Sequence, residues 1–416
     1  IPDDHDVGQG NLWGAGGIKA TDRKGNSGGY VHPAQYVREV EFAQTANLPD
    51  PVDPAPVAQG IGVYFTRLNV GGIDFAIIED RKFKTGPAGK IPGHKGRPDH
   101  IRDPNFDTTL LDTPDAELLG DRQIAFLDRW CGDWENAQMK CVLSQTIFCN
   151  AANLHGGETG WMKADLDSNG WPRRERDRSL KTIRKGFAFM LSGDQHLATV
   201  VHHGVDGFGD SGYSFCVPSI VNHYGRWWRP REAAIRRLAG PLDHTGDYLD
   251  GFGNRMTMLA YANPGESVPP IESRNRHVKR ATGYGITRFN KIDRTITMEC
   301  WPRGEDVSSP DAHQYTGWPI TIRQEDNYDR KAVAYLPKLV VSGASDPVVQ
   351  VIDEQMGEVI YTLRIKGNTW QPKVFAKGPH TIRVGEGETV RTLTGLIPVM
   401  DATDSILNVH FGENGP

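Results

Sequence analysis

Apolar spacing divides the chain into three stretches of different character. Up to about residue 103, Gly/Pro-rich loops are broken by one strand pair. Val63, Phe65 and Leu68 lead into Asn69-Val70-Gly71-Gly72, and Ile73, Phe75, Ile77 and Ile78 follow. Alternation on both sides of a Gly-Gly pair predicts a hairpin. Residues 82–102, punctuated by Gly86, Pro87, Pro92, Gly93 and Pro98, read as a solvated loop whose basic side chains face water.

In the middle stretch Ile124, Leu127, Trp130 and Trp134 recur on one helical face, and residues 141–148 form a short apolar strand interrupted by Ser144-Gln145. Residues 174–184 are charged and helix-compatible, and 187–191 are a compact apolar run ending in Ser192-Gly193. Helix, strand, loop, helix, strand is the order of α/β units around a buried sheet. Further strands are expected at 258–262, 286–289 and 295–298. Beyond Asp329 the pattern changes to short strands at 339–341, 348–352, 359–365, 374–375 and 381–384, separated by Gly, Pro and Asp. That spacing predicts a separate all-β sandwich. The expected organisation is therefore an α/β (α+β) domain over residues 1–330 and a β-sandwich over 331–416.

Composition narrows the class. With 416 residues, 38% hydrophobic and 24% charged, the chain has the makeup of a folded protein long enough for two domains. A net charge of -5 gives no general attraction to nucleic acid or anionic membrane, and sequence-specific nucleic-acid binding is not expected. No apolar run approaches the length of a spanning helix. The five cysteines contain no CxxC pair, which argues against a zinc ribbon or a disulfide scaffold.

Candidate chemistry lies in a few short motifs. Asp3-Asp4-His5-Asp6 surrounds an imidazole with carboxylates, a ligand set for hard or borderline metals, or else a plain acidic cluster. Ser192-Gly193-Asp194-Gln195-His196 directly follows a strand, where functional groups of α/β sheets collect. If extended geometry persists there, Asp194 and His196 project to one side. Gln145 ends a neighbouring strand, either as a ligand or as an amide bonded to backbone. Asp165, Asp167 and Asn169 match the first half of a calcium loop, although its twelfth position is Arg176 rather than Glu, so the alternative is an Asx-rich turn before a helix. Residues 226–231, Arg-Trp-Trp-Arg-Pro-Arg, read first as packing aromatics with snorkelling arginines. Gly209-Asp210-Ser211-Gly212 lacks the companion signatures of a protease or a dinucleotide fold.

Taken in order, Asp3-Asp4-His5-Asp6, Leu119-Gly120-Asp121-Arg122-Gln123, Leu143-Ser144-Gln145, Asp167-Ser168-Asn169-Gly170-Trp171-Pro172 and Ser192-Gly193-Asp194-Gln195-His196 resemble the PhoD-like alkaline phosphatases of the calcineurin-like metallophosphatase superfamily. The resemblance implies a four-layer αββα sandwich with a metal cluster at its loop end, a secreted or periplasmic location, and iron with calcium as metals. It places Asp4 as a ligand where the superfamily has Asn, His5 as the catalytic imidazole, and Asp194 and His196 as the late ligand pair. Gln145 stands where relatives carry a ligating His. The family's earlier ligand motifs precede this sequence, so an upstream segment or second polypeptide is expected to complete the site.

The resulting expectation is hydrolysis of phosphate monoesters or diesters by a hydroxide on a multinuclear metal site, with Arg174 or Arg176 holding phosphate oxygens. The rival expectation is a secreted binding or structural protein that keeps a phosphatase-like fold without activity.

Overall fold

The computed structural model describes residues 1–7, 13–23, 26–91, 97–157, 159–221, 224–266, 280–401 and 405–412. Gly8 and Gly10 of the first motif, and residues 92–96 of the basic loop, lie outside them. The chain is a mixed α/β protein with one large mixed sheet, few helices and several smaller sheets. Among the described residues no helix is long and apolar enough to cross a membrane.

The large sheet grows from the expected hairpin. Thr66–Val70 and Ile73–Ile77 pair antiparallel across Gly71-Gly72, both at positive φ (60° and 84°), which a two-residue turn of this hand requires. Ile73–Ile77 then pairs in parallel with Met139–Leu143, which pairs in parallel with Phe189–Ser192, which pairs in parallel with Tyr213–Cys216. Beyond Tyr213–Cys216 the sheet turns antiparallel through Thr199–His203, Arg255–Tyr261, Gly246–Leu249 and Arg236–Arg237.

Crossover helices explain the parallel half. The helix Gly120–Gly132 lies between the second and third of these strands and Arg173–Arg184 between the third and fourth. Parallel neighbours need such connections, and both faces of the sheet are then covered. The period-two alternation divides each strand between the faces. Ala76, Ile78, Val142 and Met190 meet Ile124, Leu127, Trp130, Leu180 and Ile183 of the helices. Ile73, Cys141, Phe189 and Phe215 point the other way, toward Ile296, Met298, Cys300 and Trp318. Those last residues belong to or adjoin a second sheet, Gly283–Asn290, Thr295–Pro302 and Ile320–Arg323. Gly285 is required at that contact, because a Cβ there would stand 2.7 Å from the Phe215 ring.

The last part of the chain forms further sheets. Val348–Asp353, Glu358–Arg364, His380–Val384 and Arg391–Leu396 make one, and Lys338–Ser342 with Thr369–Trp370 and Ile406–His410 another. Their shared core of Leu339, Val349, Tyr361 and Ile382 also takes in Trp134, Phe187 and Tyr328 from the preceding stretch. Arg364 strengthens that junction by donating to the Ala137 and Trp134 carbonyls at 2.6 and 2.9 Å.

Two expectations need correction. Lys82 and Lys84 are buried, not solvated: Lys82 donates to Glu41 and the Gly62 carbonyl, and Lys84 to the Asp167 and Ser168 carbonyls. The all-buried strand Thr199–His203 and the helix Ala34–Thr45 carried no clear periodic signal and were not expected.

Candidate metal centre

Three adjacent parallel strands deliver the site from their carboxyl ends. Ile73–Ile77 continues into Glu79-Asp80-Arg81, Met139–Leu143 into Ser144-Gln145, and Phe189–Ser192 into Gly193-Asp194. Backbone bonds extend the ladder past the strands: Ile78 donates to the Leu143 carbonyl, Ser144 to Leu191 and Gly193 to Gln145, each at 3.0 Å. Such strand ends are where an open α/β sheet exposes its groups to a ligand.

The start of the chain closes over them. Asp4–Val7 forms a short helix, with the Asp3 amide donating to Asp6 Oδ2 at 2.7 Å and Val7 buried among Tyr30, Val37 and Ile61. Gln145 Nε2 also donates to the Pro2 carbonyl. These contacts hold Asp3 and Asp4 beside Asp194, where one carboxylate oxygen from each lies within 4.8 Å of the others.

Arg81 stands at the centre. Its guanidinium donates to Asp194 Oδ2 at 3.0 Å, Asp167 Oδ1 at 2.8 Å and Asp3 Oδ1 at 3.3 Å. Arg226, also buried, lies 3.8 Å from Asp167 Oδ2, and its Nε and Nη1 have no hydrogen-bond partner among the described residues. Asp80 is fixed by Ser144 Oγ at 2.8 Å, by the Thr146 amide and by Asn169. Glu79 accepts from the Arg81 and Lys82 amides, and Gln123 of the helix Gly120–Gly132 bonds both its backbone N–H and its carbonyl.

Burial and charge set the protonation states. Burial, reinforced by Asp167, pushes the Asp4 carboxyl up to about 8. Burial and Asp194 push Asp3 up to about 7, although its side chain is 31% exposed and water softens the effect. Burial also works against charge on Asp167, yet Arg81, Arg226 and Lys84 outweigh it and hold that carboxyl down to about 2. Carboxyls this reluctant to ionise beside one another gain most from a cation among them. Asp4 Oδ1 is buried without a hydrogen-bond partner among the described residues, so the donor set fits a hard or borderline ion held by oxygen.

Most of the expected residues converge here, with changed roles for some. Asp194 joins the cluster, but the strand geometry does not persist. Asp194 and His196 take left-handed backbone at φ 64° and 52°, conformations that non-glycine residues adopt mainly under local constraint. His196 Nδ1 lies 3.2 Å from the Tyr224 carbonyl, and the half-buried ring stands at the rim, near enough to feel the charges of Arg226 and Asp194. His5 is largely exposed, with Nε2 3.5 Å from Asp4 Oδ2. Gln145 is a brace rather than an open ligand: its Oε1 accepts from the Asp80 amide and its Nε2 serves Pro2 and Glu79.

The arginine and calcium-turn expectations are corrected. Arg174 donates to the Thr113 and Pro114 carbonyls, and Arg176 is buried against the Phe148 and Gly204 carbonyls, so both fasten loops to their helix. Asp165, Asp167 and Asn169 diverge: Asp167 turns to Arg81, Asn169 to Asp80, and Asp165 toward two histidines. They do not surround one ion. Arg81 and Asp80 were missed, and Arg226, read first as a snorkelling arginine, is buried beside Asp167. The signal for Arg81 was a run of charges, Glu79-Asp80-Arg81-Lys82, immediately after an apolar strand.

No family model matches the chain, and no curated protein matches it. Among solved structures, one titled "Structure of PhoD" is similar at 14% identity with a TM-score of 0.44, covering 78% of this chain and 52% of that one. The chain thus spans about half the length of that structure.

Proposed function

We propose that the chain is a metal-dependent phosphoric ester hydrolase acting on monoesters or diesters. The observation that carries this reading is the convergence of Asp3 and Asp4, from the start of the chain, on Asp194 at the end of a parallel strand, beside the buried Arg226. Asp3, Asp4 and Asp194 would hold the cation, with His196 at the rim. Oxygen donors of this kind suit the calcium and iron that the sequence resemblance implies. A bound ion supplies Lewis acidity and brings the acidity of water toward neutrality.

The chain's own residues do the rest. Arg226, whose buried Nε and Nη1 have no partner among the described residues, would add positive charge beside the cluster to draw in a phosphoryl group. Arg81 orients Asp194 and Asp167 through one oxygen of each. His5, exposed beside Asp4, is placed to give a hydrogen bond or proton to a leaving oxygen. A second reading, a phosphatase-like fold without turnover, is favoured by one feature: Arg81 already neutralises much of the cluster without any cation.

Phosphate release from p-nitrophenyl phosphate and bis-p-nitrophenyl phosphate separates the two. Chelator-sensitive turnover that is lost in Asp194→Ala supports hydrolysis. Absence of turnover after loading with calcium, iron, manganese or zinc supports the inactive reading.

A further inference from the structure

A second cluster, apart from the carboxylates around Arg81, has the makings of a site. His100 and Asp165 face each other directly across the short antiparallel pair His100–Ile101 and Ala164–Asp165. Directly opposed residues of such a pair hold their side chains on one face, a few ångström apart. His155 enters from another short pair, Leu154–His155 with Arg226–Trp227. All three side chains are buried, and one ligand atom from each lies within 4.8 Å of the others.

The distances are the telling feature. His100 Nε2 stands 3.9 Å from Asp165 Oδ2 and His155 Nδ1 stands 3.8 Å from the same oxygen. Hydrogen bonds between such groups run at about 2.7–3.2 Å, so these are not hydrogen bonds. Two ligands about 2.0–2.1 Å from a tetrahedral ion are about 3.4 Å apart, and a closure of about half an ångström would bring each nitrogen to that spacing from Asp165 Oδ2. Asp165 Oδ2 has no hydrogen-bond partner among the described residues although its side chain is only 1% exposed. An unpaired carboxylate oxygen so deeply buried is costly unless something compensates it.

The rings are also presented correctly. His155 Nε2 lies 3.3 Å from the Ala152 carbonyl, which places the ring proton there and turns the Nδ1 lone pair to Asp165. Fixing the second nitrogen in this way is how proteins orient ligating imidazoles. Asp99 Oδ2 lies 3.6 Å from His100 Nε2 and adds a further carboxylate at the edge of the group.

We infer that His100, His155 and Asp165 form a second cation site, suited by its two imidazoles and one carboxylate to a divalent transition metal of the zinc class. Asp165 and Asp167 straddle the boundary between the two clusters. Arg226 feels the charge of both and, in register with His155, separates them. Such a site requires no hydrolytic activity at the first cluster.

Cobalt is the probe, because its visible bands report four-coordination. Chelator-stripped protein titrated with Co2+ is expected to take up one equivalent with tetrahedral bands, and zinc is expected to displace it. His155→Ala, and separately the near-isosteric Asp165→Asn, should weaken that uptake at least tenfold, while Asp194→Ala, at the other cluster, keeps the bands. Having two variants guards against one failing to fold, with far-ultraviolet circular dichroism as the check. Bands that survive in folded His155→Ala or Asp165→Asn, bands that vanish in Asp194→Ala, or no tetrahedral cobalt in the wild type would each overturn the inference.

Discussion

Asp4 offers a direct test of the electrostatics, through the isosteric change Asp4→Asn in metal-free protein. Its carboxyl is raised from 3.8 to about 8, first by burial and then by Asp167. For an acid whose pKa is raised on folding, the folded chain binds the extra proton, so stability is full below about pH 4 and falls as pH rises toward 8. At about 1.4 kcal/mol per unit, the ceiling on that loss is on the order of 5 kcal/mol. Relaxation of the short Asp4–Val7 turn reduces it, so a difference of about 1–3 kcal/mol is expected between pH 5 and pH 9. Asn cannot ionise and escapes this loss. Urea unfolding in EDTA, followed by tryptophan fluorescence, should give similar midpoints for the two proteins at pH 5 and a more stable Asp4→Asn at pH 9. Adding a cation that binds the cluster should stabilise the wild type at pH 9 far more than the variant. Parallel pH profiles, with no widening gap between the proteins, would refute the picture of a buried, cation-seeking Asp4.

Asp194→Ala should cut chelator-sensitive turnover by at least about 100-fold and lower bound metal, whereas His196→Ala at the rim should cost less; steady-state kinetics with metal analysis on both variants orders them. Arg226→Ala should raise KM for a phosphoester by about 10- to 100-fold, the worth of a charge-assisted hydrogen bond or two, with bound metal unchanged, and an unaltered KM would remove Arg226 from substrate binding. Phe215→Ala, in the core between the two sheets, should lose about 3–5 kcal/mol in denaturant unfolding. A smaller loss would mean that the second sheet closes onto the cavity.

Periodicity made much of the scaffold readable. The Gly71-Gly72 hairpin and the helix Gly120–Gly132 were readable from alternation and helical spacing, and Phe189–Ser192, covered on both faces, from its continuous apolar run. Thr199–His203 is buried at every position, so it left no alternation to read, and its two histidines disguised it further. Asp4 and Asp194 were legible because each sits in a compact motif at a definable place. Arg81 was hidden by the Gly/Pro-rich run on its carboxyl side, which makes the whole segment look solvated. Only the ladder beyond Ile77 shows that the chain is still inside the fold at that point. His100 and His155 lie 55 residues apart with no common motif, and two-residue pairings bring them together, which no local pattern encodes.

The three-pronged grip of Arg81 bears on how any cation must enter. Asp3, Asp167 and Asp194 are each already engaged by the guanidinium, while Asp4 receives no hydrogen bond from it. Cation binding is therefore an exchange, in which carboxylate oxygens are won from an internal competitor instead of from water alone. Weakly coordinating ions such as potassium gain too little from Asp4 to displace that competitor, whereas ions of high charge density can. Selectivity then arises from what the ion must evict, and a less tightly held Arg81 would bind more ions and discriminate among them less.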